Sequence, residues 1–219
     1  MLFQLAAAPA VMLAVFIFIK DRYEKEPDYM LFTVILFGFV SASYVLALDI
    51  FLENIFDTDS MLFSAFVVSA GTEEFVKLVF LFFLMLRNPN LNEPFDAIFY
   101  SAYVSLGYAW AENIIYVYSP ELGGLDTALM RAVFSVPGHF LFAVAMGYSF
   151  AKYGYYKKGK IYLLEAFIAA YIIHGLYNII IMAAGKYYLL LFLPYLLVLW
   201  RISLKKIYIL SIKSPFKNK

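Results

Sequence analysis

The sequence predicts an all-α, polytopic membrane protein. The expected fold is one bundle of about seven transmembrane helices over residues 1–219, N-terminus outside and C-terminus cytoplasmic. Three observations predict it. Apolar residues make up 64% of the 219-residue chain and charged residues only 15%, against about 45–50% and about 25% in soluble domains. Seven stretches approach the ~20 apolar residues that a bilayer span requires. The basic residues then fall almost entirely on one side of those stretches.

The elements follow in order. The first stretch, 2–19, has no basic residue before it, and Lys20, Arg22 and Lys25 come after it. That order predicts a retained first helix with its N-terminus outside rather than a cleaved signal. Further spans are expected over 29–52, 61–86, 95–118, 129–150, 161–184 and 187–204. Turn residues and charges separate them: "KDRYEKEPD", "ENIFDTDS", "RNPNLNEP", "SPELGGLDTA", "KYGYYKKGK" and a short "AGK". Fourteen Lys and Arg residues then lie in cytoplasmic loops and the tail, with only Arg131 and Lys186 outside and Lys77 within the bilayer. This is the positive-inside pattern. Tyr23, Tyr29, Tyr118, Tyr153 and Tyr187, at span ends, suit interfacial anchoring. No linker or internal repeat divides the chain, so a single membrane domain is expected. A net charge of +1 argues against nucleic acid as partner, and the lack of cysteine excludes disulfides and thiolate chemistry.

Several polar residues do not suit lipid. Span three carries Glu73, Glu74 and Lys77; span four Glu112 and Asn113; span five His139; span six His174 and Asn178. Each charge costs about 2.5–3.5 kcal/mol near a helix centre on insertion scales. At ~1.5 Å per residue, Glu73 lies ~18 Å from the outer end of its span, the two histidines ~15 Å and Glu112 ~9 Å. These depths predict one site in the outer half of the bilayer. His174 and Asn178, four apart, share a helix face, as do Glu73 and Lys77. By spacing alone, Lys77 neutralises only part of the carboxylate pair. Pro137 frees the carbonyl of Val133 and predicts a kink beside His139. The small stripe Ala97, Ser101, Ser105 and Ala109 predicts close packing of span four. Asp49, Glu53 and Asp96, near span ends, are expected to meet headgroups or water.

The chain lacks H-E-x-x-H, G-x-G-D and G-x-S-G, the signatures of other intramembrane hydrolases. What remains is a carboxylate pair, two imidazoles and an amide. A carboxylate held beside another can act as general base toward water, with imidazoles to orient the water or protonate a leaving amine and an amide to stabilise an oxyanion.

The order "EEFVK", "GYAWAEN", "GHFLFAVAMGY" and "HGLYN" resembles the PrsW protease family, and the likeness extends through "KDRYEKEP" and "FDAIFYSAYVSLGYAWAENIIY" over nearly the whole chain. PrsW-like proteins are related to the type II CAAX prenyl endopeptidases. The resemblance implies Glu73 as the base that activates water and Glu74 as its helper paired to Lys77. It puts His139 and His174 beside the water and Asn178 facing the oxyanion, and Glu112 and Asn113 match a PrsW motif of unassigned role. CAAX-type enzymes carry an arginine four residues after the second Glu; here a lysine follows at three, which leaves the order of the two glutamates open. The resemblance also implies site-1 cleavage of a membrane-anchored anti-sigma factor on its extracytoplasmic side, within stress-responsive regulated proteolysis. The cofactor stays open between none and zinc, which Glu73, Glu74, His139 and His174 could ligate. Two other classes remain: a proton-coupled transporter or channel, which shares intramembrane Glu, Lys and His, and a non-catalytic client-binding membrane protein.

Overall fold

The computed structural model describes residues 1–56, 58–183 and 187–217. These form seven helices and no strand. They are α1 (Leu2–Lys20), α2 (Asp28–Ile55), α3 (Phe63–Met85), α4 (Asp96–Val117), α5 (Leu125–Gly154), α6 (Ile161–Ala183) and α7 (Tyr188–Ser211). All seven expected spans are present as helices. The largest boundary shifts are in α5, which begins four residues earlier and ends four residues later than expected, and in α7, which runs seven residues further. The "AGK" break lies outside the described residues. Prolines inside α1 (Pro9) and α7 (Pro194) do not end either helix, as is common where neighbouring helices meet the freed carbonyls.

α4 is the axis of the bundle. Seventeen of its 22 residues are buried, and it packs against α1, α2 and α5. Small residues set how near the backbones come. A Cβ on Gly38 would meet the Val104 carbonyl oxygen at 2.0 Å, and one on Gly107 would meet that of Ile35 at 2.1 Å, so α2 and α4 touch backbone to backbone. The predicted small stripe faces α5: Ser101 donates to the Ala143 carbonyl and Ser105 to the His139 carbonyl, both at 2.9 Å. Those bonds satisfy hydroxyls that lipid could not.

The outer surface is apolar. Met12, Phe32, Phe83, Leu190 and Leu197 are among many large side chains left exposed, a belt that only lipid can cover. By length and apolar character α1, α2, α5 and α6 qualify as membrane spans. α4 carries Asp96, Glu112 and Asn113 and relies on its neighbours rather than on lipid. Among the expected anchors, Tyr29, Tyr118 and Tyr187 are exposed, whereas Tyr153 turns inward against Phe82 and Phe150.

Two helices change their winding. α3 is π-helical over Phe63–Gly71 before it becomes α-helical at Thr72. α5 is π-helical over Arg131–Ser135, and Pro137 lies in the first turn of the α-helical part that follows. A π turn holds one extra residue and is frequent at functional sites. Both of these lead directly into the polar residues of the interior.

Candidate active site

α3, α4, α5 and α6 bring the predicted polar residues into one buried cluster. Lys77 is its centre and is 1% exposed. Its ammonium donates to Glu73 Oε2 at 3.1 Å, to Glu74 Oε1 at 2.9 Å and to His139 Nδ1 at 3.1 Å. The lysine therefore serves both carboxylates, contrary to the expectation from spacing. It also lies over the Tyr108 ring, 4.1 Å from the centroid, where the π face supplies further negative potential. One ammonium and one ring thus hold two carboxylates that would otherwise repel each other.

Each imidazole is fixed by a carboxylate. Glu74 Oε1 accepts from His174 Nδ1 at 2.9 Å, and Glu112 Oε2 lies 2.9 Å from His139 Nε2. For neutral rings those partners set the tautomers: His139 carries its proton on Nε2 and presents Nδ1 to Lys77, and His174 carries its proton on Nδ1. Phe142 stacks on His174 at 4.6 Å. Glu112 is held in turn by Arg131, whose Nη2 lies 2.5 Å from Oε2 while its Nε donates to Asn113 Oδ1 at 2.7 Å. Asn113 Nδ2 donates to the Ala6 carbonyl and ties the group to α1. The Glu112–Asn113 pair thus bridges α1, α4 and α5.

The two glutamates differ in surroundings. Glu74 is fully buried behind Lys77, with Oε2 unpaired. Glu73 lines a cavity of about 680 Å³, together with Glu112, His139, His174 and Asn178; that volume is within the roughly 300–1,000 Å³ of ligand clefts. Ser69 Oγ donates to Glu73 Oε1 at 3.1 Å, and Asn178 Nδ2 donates to Ser69 Oγ at 2.9 Å. Asn178 thereby reaches Glu73 through Ser69. The walls are apolar, with Val45, Leu46, Val68, Ile181 and Met182, and Asp49 and Glu53 of α2 also line the cavity.

Two expectations for acidic residues at span ends are corrected. Asp49 is half-buried and accepts from Thr72 Oγ1 at 2.7 Å. Asp96 is fully buried and accepts from the backbone N–H groups of Asn92 and Glu93 at 2.8 and 2.7 Å. Both lie at span ends in sequence, but neighbouring elements cover them. Ser69, Tyr108 and Arg131 were missed. Ser69 is four residues before Glu73, so the helix-face search that paired Glu73 with Lys77 would have reached it in the other direction.

The donor set suits a metal. Glu73, Glu74, His139 and His174 each offer a ligand atom, and those atoms lie within 4.8 Å of one another. Two carboxylates and two imidazoles are ligands that zinc takes, and Glu112 provides His139 with the carboxylate partner common among ligating histidines. The competing feature is Lys77, which supplies positive charge to three of the same four groups.

Residues 26–200 match the model of the PrsW family of intramembrane metalloproteases. The chain is 36% identical over 203 residues to Protease PrsW of Geobacillus kaustophilus, covering 91% of this chain and 88% of the relative. It is 33% identical over 213 residues to Protease PrsW of Clostridioides difficile, covering 94% and 90%. With Protease PrsW of Bacillus subtilis the identity is 30% over 203 residues, covering 91% and 90%. No solved structure matches the chain. A helical membrane bundle, a buried carboxylate–histidine centre and a match over most of the chain converge on one conclusion: this protein is a membrane peptidase and belongs to the PrsW family.

Proposed function

We propose that this peptidase cuts a single-pass membrane protein of the anti-sigma-factor class on its extracytoplasmic side, with Glu73 as the general base. The observation that carries the assignment is the difference within the glutamate pair: Glu73 lines the cavity, and Glu74 is sealed behind Lys77. The cavity opens among the C-terminal halves of α2, α4 and α6 and the N-terminal parts of α3, α5 and α7. That is the end of the bundle that the basic-residue count assigns to the outside.

In this reading an extended stretch of substrate enters the cavity. Glu73, oriented by Ser69 and Lys77, removes a proton from a water molecule as its oxygen attacks the scissile carbonyl carbon. His174, whose Nδ1–H is committed to Glu74, has Nε2 as its free acceptor and holds the water. His139, with Nε2–H committed to Glu112, stays oriented beside it. Glu73 then returns the proton to the leaving nitrogen as the C–N bond breaks, giving a carboxylic acid and an amine. Asn178 keeps Ser69 aligned; its amide N–H groups rest on Ser69 Oγ and the Ala65 carbonyl, and it would leave the longer bond to Ala65 to face the oxyanion. A zinc ion, where bound, would be held by Glu73, Glu74, His139 and His174 and would lower the pKa of water and polarise the carbonyl.

The test is cleavage of a tagged single-pass anti-sigma factor in cells lacking their own site-1 activity. Wild type, Glu73→Gln and His174→Ala are compared at matched membrane abundance. We expect wild type alone to shorten the outer domain, with at least a 100-fold loss in Glu73→Gln. Cleavage by all three, or by none, overturns the assignment of this site.

A further inference from the structure

The sequence motifs "KDRYEKEP" and "NEPFDAIFY" contribute nothing to the cavity, yet they meet at the opposite end of the bundle. Asp21 and Glu26 come from the α1–α2 connection, Glu93 from the α3–α4 connection and Asp96 from the first turn of α4. These four carboxylates are 1%, 3%, 1% and 0% exposed, and Glu24 is half-buried beside them. Their partners are neutral donors and one another: the Tyr100 hydroxyl bonds to Glu26, the Ser214 hydroxyl to Glu93, and the Asn92 and Glu93 N–H groups to Asp96, while the Glu26 and Asp96 carboxyls also bond side chain to side chain. The nearest lysine, Lys25, donates to the backbone carbonyls of Phe18 and Asp21 and not to a carboxylate. Among the described residues no salt bridge reaches Asp21, Glu24, Glu26, Glu93 or Asp96.

A second observation is independent of this clustering. Eight buried side-chain N and O atoms lack a hydrogen-bond partner among the described residues, and six of them are here. They are both oxygens of Asp21, Glu24 Oε2, Glu26 Oε1, Asp96 Oδ1 and the amide oxygen of Asn92. All six are hard oxygen acceptors, and none is a nitrogen or sulfur. Buried carboxylates without a counter-charge cost several kcal/mol each. Burial, and then Glu93, push the Asp21 carboxyl up to about 7, and burial does the same for Glu26. Lys25 is the one cation that opposes this at Asp21, so the group is short of positive charge unless its members keep their protons.

We propose that these oxygens bind a hydrated divalent cation of the Mg²⁺/Ca²⁺ class. The donor chemistry is what such ions select. Among the described residues these acids are not drawn together to within 4.8 Å as the catalytic set is, so an ion here would have to keep part of its water. The cation would clasp three otherwise separate pieces of chain: the α1–α2 connection, the α3–α4 connection with the start of α4, and the C-terminal segment at Ser214.

The experiment uses the purified full chain in detergent, first treated with chelator and then titrated with MgCl₂ or CaCl₂. NaCl at matched ionic strength is the control, with Tm and calorimetric binding as readouts. We expect one ion per chain and a Tm rise of roughly 5–10 °C at ~100-fold excess over Kd. The Glu73→Gln/His174→Ala double variant should keep that response, which separates this site from the catalytic one. Asp21→Asn and Asp96→Asn should lose it. Should either fail to fold, the half-buried Glu24→Gln must weaken ion affinity about tenfold. Equal Tm with chelator and with either ion overturns the proposal and means that the acids keep their protons. A response unchanged by Asp21→Asn or Glu24→Gln overturns it as well.

Discussion

Lys77 carries more of the site than its spacing implies. It is fully enclosed and bonds to Glu73, Glu74 and His139. Replacing it by Met leaves two buried carboxylates with no shared cation, which costs about 3–5 kcal/mol. We expect Lys77→Met to lower unfolding stability in micelles by that order and to abolish cleavage. Arg131 acts one step further out, through Glu112 on the orientation of His139. Arg131→Met should reduce kcat about 10- to 100-fold, as loss of such outer contacts typically does, with little change in KM. Arg131→Lys restores the charge opposite Glu112 but not the fork that also reaches Asn113, so it should recover part of kcat. Equal Tm losses with kcat intact would make Arg131 purely structural. The sequence made Glu73, Glu74, His139, His174 and Asn178 legible because lipid makes every polar side chain conspicuous. Arg131 was hidden because it counted as a loop charge: nothing local shows that α5 begins at Leu125 and draws its first turns into the bundle. Asp96 was misread for a related reason, since nearness to a span end does not reveal what covers it.

The helix ranges were readable from hydropathy, but the winding within them was not. The π segments of α3 and α5 have no sequence signature, because an extra residue per turn is imposed by packing and not by side-chain preference. Their position matters for the site: Ser69 lies in the first, and Arg131 begins the second. The contact between α2 and α4 was half-legible. The stripe of small residues on α4 pointed to close packing and correctly met α5, whereas the closest approach, to α2, runs through Gly38 and Gly107. A methyl on Gly107 has no room against the Ile35 carbonyl at 2.1 Å. Gly107→Ala should therefore part the two helices and destabilise by about 1–3 kcal/mol, read as earlier thermal unfolding. The same change at Gly124, where nothing lies within 4 Å of an added Cβ but φ is +112°, should act only through backbone strain in the loop before α5.

The whole molecule is apolar outside, and inside it an apolar core encloses a few polar clusters. Hydropathy found the axial helix α4 to within one residue at each end, but not how completely its neighbours cover it. The consequence reaches back to how the protein is made. α4 is buried over 17 of its 22 residues, so little of its final surface is solvated by lipid. It leaves the ribosome after α1–α3 but before α5, the helix whose carbonyls accept from Ser101 and Ser105. During synthesis α4 must be sheltered, whether by the insertion machinery or by α1 and α2, until α5 arrives. A chain stopped after residue 124 should be degraded or fail to integrate α4, while one stopped after residue 56 should insert two stable spans. Glycosylation mapping of nested truncations would read both outcomes. The helix at the centre of the finished protein is thus poorly able to enter the membrane alone, and the assembly order of its neighbours becomes a condition for having an active site at all.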